Sequence, residues 1–331
     1  MSPRKPQRGA ALLMAMLTVT LVATFAAAAM WQQWRSVEVE QAERTRVQAG
    51  WILTGALDWV RLILKEDGNT SSVDYLSEPW AVPLEEARLS TFLAAEHGVA
   101  SADTGDDALS AFLSGQIIDL QSMLNVNNLV VSGQVSLPWV QVFTRLFELL
   151  GLPPAQVATL AENLRFALDT SAANHSAPMA PLLPQRVEQL VWLGLPAETV
   201  AALRPYVTIF PTLTPIAVNL NTAPAEVIYA VLDGISLADA QRLVAERDRS
   251  HFTTIQDAMK RINSAPGLLP SSDIAGVSSH YFESRGRLRM DKMVVEERSL
   301  IYRVPRSETQ ALQRERGVID APAPGAGFPS R

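Results

Sequence analysis

The stretch AALLMAMLTVTLVATFAAAAM, Ala10 to Met30, decides how the rest of the chain is arranged. Its 21 residues are all apolar or hydroxyl-bearing, and a helix needs roughly 20 such residues to cross a hydrocarbon core. No charged side chain lies between Arg8 and Arg35. The leader MSPRKPQRG carries Arg4, Lys5 and Arg8, and the first acid is Glu38. That bias predicts residues 1–8 on the cytoplasmic side, a membrane part over 10–34, and everything beyond Trp34 on the far side. A cleavable secretory signal is the competing reading, with Ala26 to Ala29 as its small-residue site. Against it, the apolar run exceeds the about 7 to 15 residues of a signal core. No proline occurs from Ala10 to Lys65, and the only glycines are Gly50 and Gly55. One helix is therefore predicted over 10–65, on the order of 80 Å long.

Beyond the membrane part, Ala42, Ala49, Ala56 and Ile63 interleave with Thr45, Ile52 and Trp59 as a single apolar stripe. Acids and arginines occupy the other faces, so one face is expected to pack and the rest to meet water. The chain has 331 residues, 48% hydrophobic, and its net charge of -6 becomes -9 once the +3 of residues 1–9 is removed. Such an acidic protein is a poor polyanion binder. It has no cysteine, which excludes disulfides, thiolate metal sites and a thiol nucleophile. The four histidines, His97, His175, His251 and His280, have no partner at a catalytic motif spacing, and no phosphate-cradling loop occurs. No catalytic constellation is present, so a non-enzyme without cofactor is expected.

Residues 66–84 are rich in turn formers, with Trp80 expected as a core anchor. Asp103, Asp106 and Asp107 miss the spacing of a calcium loop and are expected in a solvated loop. Gly115 to Val135 alternates like a strand, with its asparagines closing a turn through local side-chain bonds. Four short helical segments, each opening on proline, follow between Pro138 and Tyr206. Residues 218–259 then read as helix, hairpin, helix, with Thr222 as the first cap, Ser236 as the second, and a third short helix from Phe252. Residues 280–304 read as two strands turning near Met290 to Lys292, and the Pro- and Gly-rich end from Pro305 as a disordered tail.

Several of these stretches carry a family resemblance. QRG/AALLMAMLTV resembles the cleavage site of type IV pilins and pseudopilins, with Gly9 at the cut, and Met14 stands where nearly all pilins have Glu. Lack of that Glu is characteristic of the K pseudopilins of type II secretion systems. The pattern Asp74, Leu76, Glu78, Trp80, Ala81, Pro83 is similar to their segment after the first helix. So are Gly115, Ile117, Asp119, Asn125, Asn127 and Leu129; the Asn219, Asn221, Thr222, Ala223, Pro224 opening; and Tyr281, Phe282 with Arg298 or Arg303 near the end. The family's acidic stretch is reduced here to Asp169 and Asn174, so no metal site carries over.

The resemblance implies an α+β fold: a long N-terminal transmembrane helix and a pilin-like antiparallel sheet domain with a large inserted all-α lobe containing a helix-hairpin-helix-like module. The implied domains are a prepilin leader (1–9), the N-terminal helix (10–65), the first part of the pilin-like domain (66–137), the inserted lobe (138–279), the C-terminal strands (280–304) and the tail (305–331). It implies a minor pseudopilin at the pseudopilus tip, working with the I, J and H minor pseudopilins. It also implies recognition of Arg8 and Gly9 by the prepilin peptidase, a cut between Gly9 and Ala10, methylation of the new Ala10 amine, and Met14 as a tip-specific position. The site would be the bacterial inner membrane, single-pass, with the C-terminal domain periplasmic. The competing reading is a membrane-anchored DNA receptor of the competence type, since the N-x-N-T-A-P opening occurs there too. Residues 223–263 hold six acids and five bases, a balance unsuited to phosphate. No nucleic-acid partner is therefore expected.

A Val at position 9 should block the cut, because a branched side chain then stands where the peptidase meets bare backbone. Mass spectrometry of the Gly9→Val protein should show the full leader, against a wild-type N-terminus at Ala10. A wild-type N-terminus after Ala28 or Ala29 would refute this reading.

Overall fold

In the computed structural model, the described residues are 8–91, 111–169, 179–211, 214–262, 270–290, 293–304 and 308–320. The readings placed on Asp103, Asp106, Asp107, Asn174, His97 and His175 lie outside them. Two compact units are separated, residues 1–54 and 55–331.

The first unit is the start of a continuous helix, α1 (Arg8–Thr70). Its apolar side chains are exposed, Leu13 at 67% and Phe25 at 68% among them, and it is long and apolar enough to cross a membrane. The hydroxyls of Thr18, Thr20 and Thr24 donate to the carbonyls of Ala15, Leu17 and Leu21. No hydroxyl of the three is left to lipid without an acceptor. Trp31 and Trp34 lie 5.5 Å apart at the end of the apolar run, where amphipathic rings suit a membrane surface.

In the second unit, α1 runs past Lys65 to Thr70, so the turn-rich connection begins later than the composition predicts. The Thr70 hydroxyl bonds back to the carbonyls of Glu66 and Asp67. Within this unit the helix is most buried at Leu57 and Leu64, one residue along from the predicted positions Ala56 and Ile63, while Ala49 of the same predicted stripe is itself fully buried. The larger leucines claim the core, and Ile63 lies at its border.

A five-stranded antiparallel sheet runs β1 (Leu84–Arg88), β2 (Ala111–Asp119), β3 (Tyr281–Met290), β4 (Met293–Arg303), β5 (Thr309–Asp320), in that spatial order. Period-2 alternation divides β3 and β4 between two faces. Phe282 and Ile301 pack with Leu57, Leu64 and Trp80 on one face. On the other, Tyr281, Leu300 and Ile118 pack with Leu120, Met123 and Phe210.

The lobe enters after Asp119 and leaves before Tyr281. The expected Gly115 to Val135 strand is broken: β2 ends at Asp119, and beyond it only two-residue strands recur, at Leu124–Asn125, Val130–Val131 and Gln134–Val135. Asp119 accepts from the Gln121 N–H and Asn125 from the Asn127 N–H, and each bond turns the chain into a short 3-10 helix. The asparagines also act at long range: Asn125 exchanges two bonds with the Phe210 backbone, and Asn128 does the same with Ile216. The lobe's helices are α2 (Leu137–Leu149), α3 (Ala155–Leu168), a 3-10 turn over Val187–Leu193, α4 (Ala197–Leu203), α5 (Ala225–Val231), α6 (Leu237–Arg249) and α7 (Ile255–Lys260). They share one large core, with Trp139, Phe143, Phe147 and Phe252 inside it.

The tail reading from Pro305 is corrected by β5, which pairs with β4 from Arg303↔Thr309 to Met293↔Asp320. What holds this polar strand is charge as well as ladder. Glu297, 5% exposed, receives Arg314 at 2.8 Å and Arg316 at 2.5 Å from β5, and Arg61 of α1 donates to the Thr309 carbonyl. Ending the chain after Val304 should therefore lower the urea midpoint of the head, through the lost ladder and the lost Glu297–arginine pairs, and should promote aggregation along the bared β4 edge. Ending it after Asp320 should leave the urea midpoint of the head unchanged, and equal midpoints for the two truncations would refute this role for β5.

Candidate functional site

Arg8, Gly9 and Ala10 form the first turn of α1, and Met14 projects from it 66% exposed. Of the other motif residues, Asp74, Glu78, Trp80, Asp119, Asn219, Thr222, Phe282 and Arg303 meet inside the second unit.

That meeting point is a buried ionic junction at one end of the sheet. Arg303, the last residue of β4, donates through Nη1 to Asp67 Oδ2 at 2.6 Å and through Nη2 to Asp74 Oδ1 at 2.5 Å and the Ser279 carbonyl at 2.6 Å. Its guanidinium carbon lies 5.0 Å from the Phe282 ring centroid. The last turns of α1 fit closely over it: a Cβ on Gly68 would come within 3.0 Å of the Arg303 Cδ. Asp74 is held further by the Ser279 N–H at 2.7 Å. Glu78 accepts from the Tyr75 N–H and from the Trp80 indole at 2.8 Å, and Trp80 stands edge-on to Phe282 at 5.2 Å.

Asp119 ties the lobe to the sheet. Its Oδ2 accepts from Thr222 Oγ1 at 2.5 Å, Ser279 Oγ at 2.6 Å and Asn219 Nδ2 at 3.2 Å. Thr222 is thus no helix cap: α5 is capped at Pro224, and the hydroxyl goes to the junction because a buried carboxylate needs donors. The third helix likewise starts later than Phe252, capped by Thr254. Phe252 is instead a core ring whose backbone exchanges two bonds with Asn221.

Burial raises three of the carboxyls at this junction, those of Asp67, Glu78 and Asp119. Burial, with Glu78 and Asp74 nearby, pushes Asp67 up to about 7 against the pull of Arg303. Burial also raises Glu78 and lifts Asp119 to about 6 despite the Ser279 and Thr222 hydroxyls. Burial, followed by the Arg303 charge, lowers His280. Ligand oxygens of Asp67, Asp74 and Glu78 lie within 4.8 Å of one another, a grouping that could hold a metal ion, and Arg303 already supplies the positive charge there. Asp169, the family's remnant carboxylate, is an exposed cap on α3 and lies outside this junction.

The helix-hairpin-helix module is built for packing. Gly234, at φ +76, makes the hairpin, and Ser236 and Asp239 close a capping box at the start of α6, occupying the amides a phosphate would take. Arg247 is buried and donates to the carbonyls of Leu220 and Ala223. Arg242, Arg249 and Arg261 face Asp239, Glu246 and Asp257. The DNA-receptor reading finds no support in this geometry.

Sequence-family models of type II secretion system protein K match residues 122–212 and 218–272. Type II secretion system protein K of Pectobacterium carotovorum subsp. carotovorum is 25% identical, the alignment covering 95% of this chain and 98% of that protein. Over nearly its whole length the chain is thus similar to type II secretion protein K. The protein K of Dickeya chrysanthemi is 24% identical over 94% of this chain and 97% of its own length. The fold is shared with a chain in the GspK-GspI-GspJ complex of enterotoxigenic Escherichia coli, at a TM-score of 0.62 and 18% identity, covering 84% of this chain and 98% of that one. The protein is therefore a minor pseudopilin of type II secretion, a structural component with a long apolar N-terminal helix.

The junction's raised carboxyls have a pH consequence. Asp67 binds its proton more tightly folded than unfolded, so folding stability falls as pH rises through about 7. His280 works in the opposite sense, but only below its ordinary value of 6.5. The urea midpoint of wild type should thus drop between about pH 6.5 and about pH 8, and Asp67→Asn should remove the drop. An equal drop in both proteins would show that another group titrates.

Proposed function

We propose that this minor pseudopilin sits at the tip of the pseudopilus, where it initiates assembly with the I, J and H subunits and supports export of folded proteins across the outer membrane. The observation that carries the tip position is the inserted lobe, residues 120–280, a bulk at one end of the sheet that would obstruct a further subunit. Met14 agrees with it. A buried Glu there would pair with a neighbour's amine in a stack, and an unpaired charge in lipid is costly, so a terminal subunit does better with an apolar residue.

In this reading the peptidase recognises Arg8 and Gly9, cuts before Ala10, and the new amine is methylated. The helix spans the inner membrane once, with residues 1–8 cytoplasmic and the head periplasmic. The protein acts through assembly and does no chemistry of its own, as expected of a chain without a catalytic motif. The related fold was solved with GspI and GspJ, and the same two partners are proposed here.

The head of this acidic chain gains little from charge pairing, so its contacts with the I and J heads should be mainly apolar. Full-length protein purified from its native membrane should retain both subunits at about 0.5 M salt, where charge pairs are screened within about 4 to 5 Å. Recovery of the chain alone at every salt concentration would overturn the assignment of partners.

A further inference from the structure

Between the inserted lobe and the sheet lies a cleft of about 400 Å³, within the range of ligand pockets. Its floor is apolar, from Leu120, Met123, Val207 and Leu300. Its rim carries four arginines, Arg186, Arg204, Arg285 and Arg298, against three glutamates, Glu188, Glu283 and Glu315. One positive charge is in excess there, in a chain whose net charge is -6.

The pairing around the rim is uneven. Glu283, with 13% of its side chain exposed, faces both Arg285 and Arg298, and the Arg298 contact is long, 3.5 Å, with that arginine 46% exposed. Arg204 meets Glu188 at 3.2 Å, with both side chains more than half exposed. Arg186 crosses from the lobe to β5, giving Glu315 two bonds of 3.3 and 2.7 Å. Exposed pairs of this kind are worth a factor of only roughly two to five in an equilibrium. An incoming carboxylate can therefore take over a guanidinium that Glu315 or Glu188 holds now.

We propose that this cleft docks an extended acidic peptide segment of another protein, with apolar side chains on the floor and carboxylates on Arg298, Arg204 and Arg186. The excess guanidinium disfavours a basic segment. The apolar floor gives a small inorganic anion or a phosphate backbone nothing to bury, whereas an extended peptide brings apolar side chains to it. The proposal is independent of the tip assignment.

The test titrates the full-length protein in detergent with a labelled, blocked peptide alternating leucine and glutamate, and with its leucine–lysine counterpart, read by fluorescence anisotropy. The acidic peptide should bind, weaken with salt, and lose roughly threefold in affinity in Arg298→Gln and in Arg204→Gln. Glu315→Gln frees Arg186 from its competitor, so it should tighten binding by a similar factor. Thermal melting at the wild-type temperature shows that each variant is folded, and the opposite sign expected of Glu315→Gln cannot come from unfolding. No binding of the acidic peptide, equal binding of the basic one, displacement by a single-stranded oligonucleotide, or weaker binding by Glu315→Gln would each overturn the proposal.

Discussion

The contact on which the second unit depends is that of the Arg303 guanidinium with Asp67 and Asp74. Through it the end of the long helix, the connection after it and the last residue of β4 meet at one point. Ser279, which bonds Arg303, Asp74 and Asp119 together, adds the end of the lobe and the end of β2. Placing these charges out of water costs several kcal/mol each, so the junction is weak evidence for stability in itself. What it confers is alternatives excluded: any other docking of helix, sheet or lobe leaves at least one buried carboxylate without its donors. Arginine suits this position because its planar fork addresses three acceptors in fixed directions, which a lysine ammonium in the same place would not do.

The position of the junction also explains how a pilin-like sheet carries so large an insertion. β2 and β3 are neighbours, and Asp119, where the chain leaves, is paired with Phe282, next to where it returns. Residues 120–280 therefore begin and end at one corner of the sheet, and the ladder between the two strands is unbroken. Loop-closure cost rises only slowly with length, and the lobe, which has its own core, adds little strain to its host. What it needs is a fixed orientation at the corner, and Asp119 supplies that with bonds to Asn219, Thr222 and Ser279.

How much of this was legible in the sequence depended on the range of the interactions. The long helix and the β3–β4 hairpin follow from local periodicity, and both were readable. The motif residues Asp74, Glu78, Asp119, Asn219 and Thr222 were visible as a pattern. Their common destination was not, because it joins residues more than a hundred positions apart. Thr222 looks like a helix cap because its neighbours are Ala223 and Pro224, and local chemistry cannot reveal Asp119 waiting for its hydroxyl. The strand β5 was missed for a different reason. An edge strand shows much of its surface to water, so TQALQRERGVID carries the charges that blunt edge pairing and reads as polar tail beside APAPGAGFPS. The one signal was the cross-strand complement, Glu297 against Arg314 and Arg316.

The helix-hairpin-helix module shows why a shared motif does not settle a shared task. A version that grips DNA must leave its hairpin amides and nearby cations available, since phosphate contacts provide most of the affinity. In this chain Asp239 satisfies the cap at Ser236, Arg247 is turned inward onto carbonyls, and Arg242, Arg249 and Arg261 face acids of the same module. The fold is retained while the groups that would meet phosphate are engaged internally, and the Asn219 and Thr222 side chains that open the motif point into the junction with the sheet. The module's role follows from those contacts: its opening residues help to fix the lobe to the pilin-like domain, and fold likeness to a DNA receptor carries no function with it.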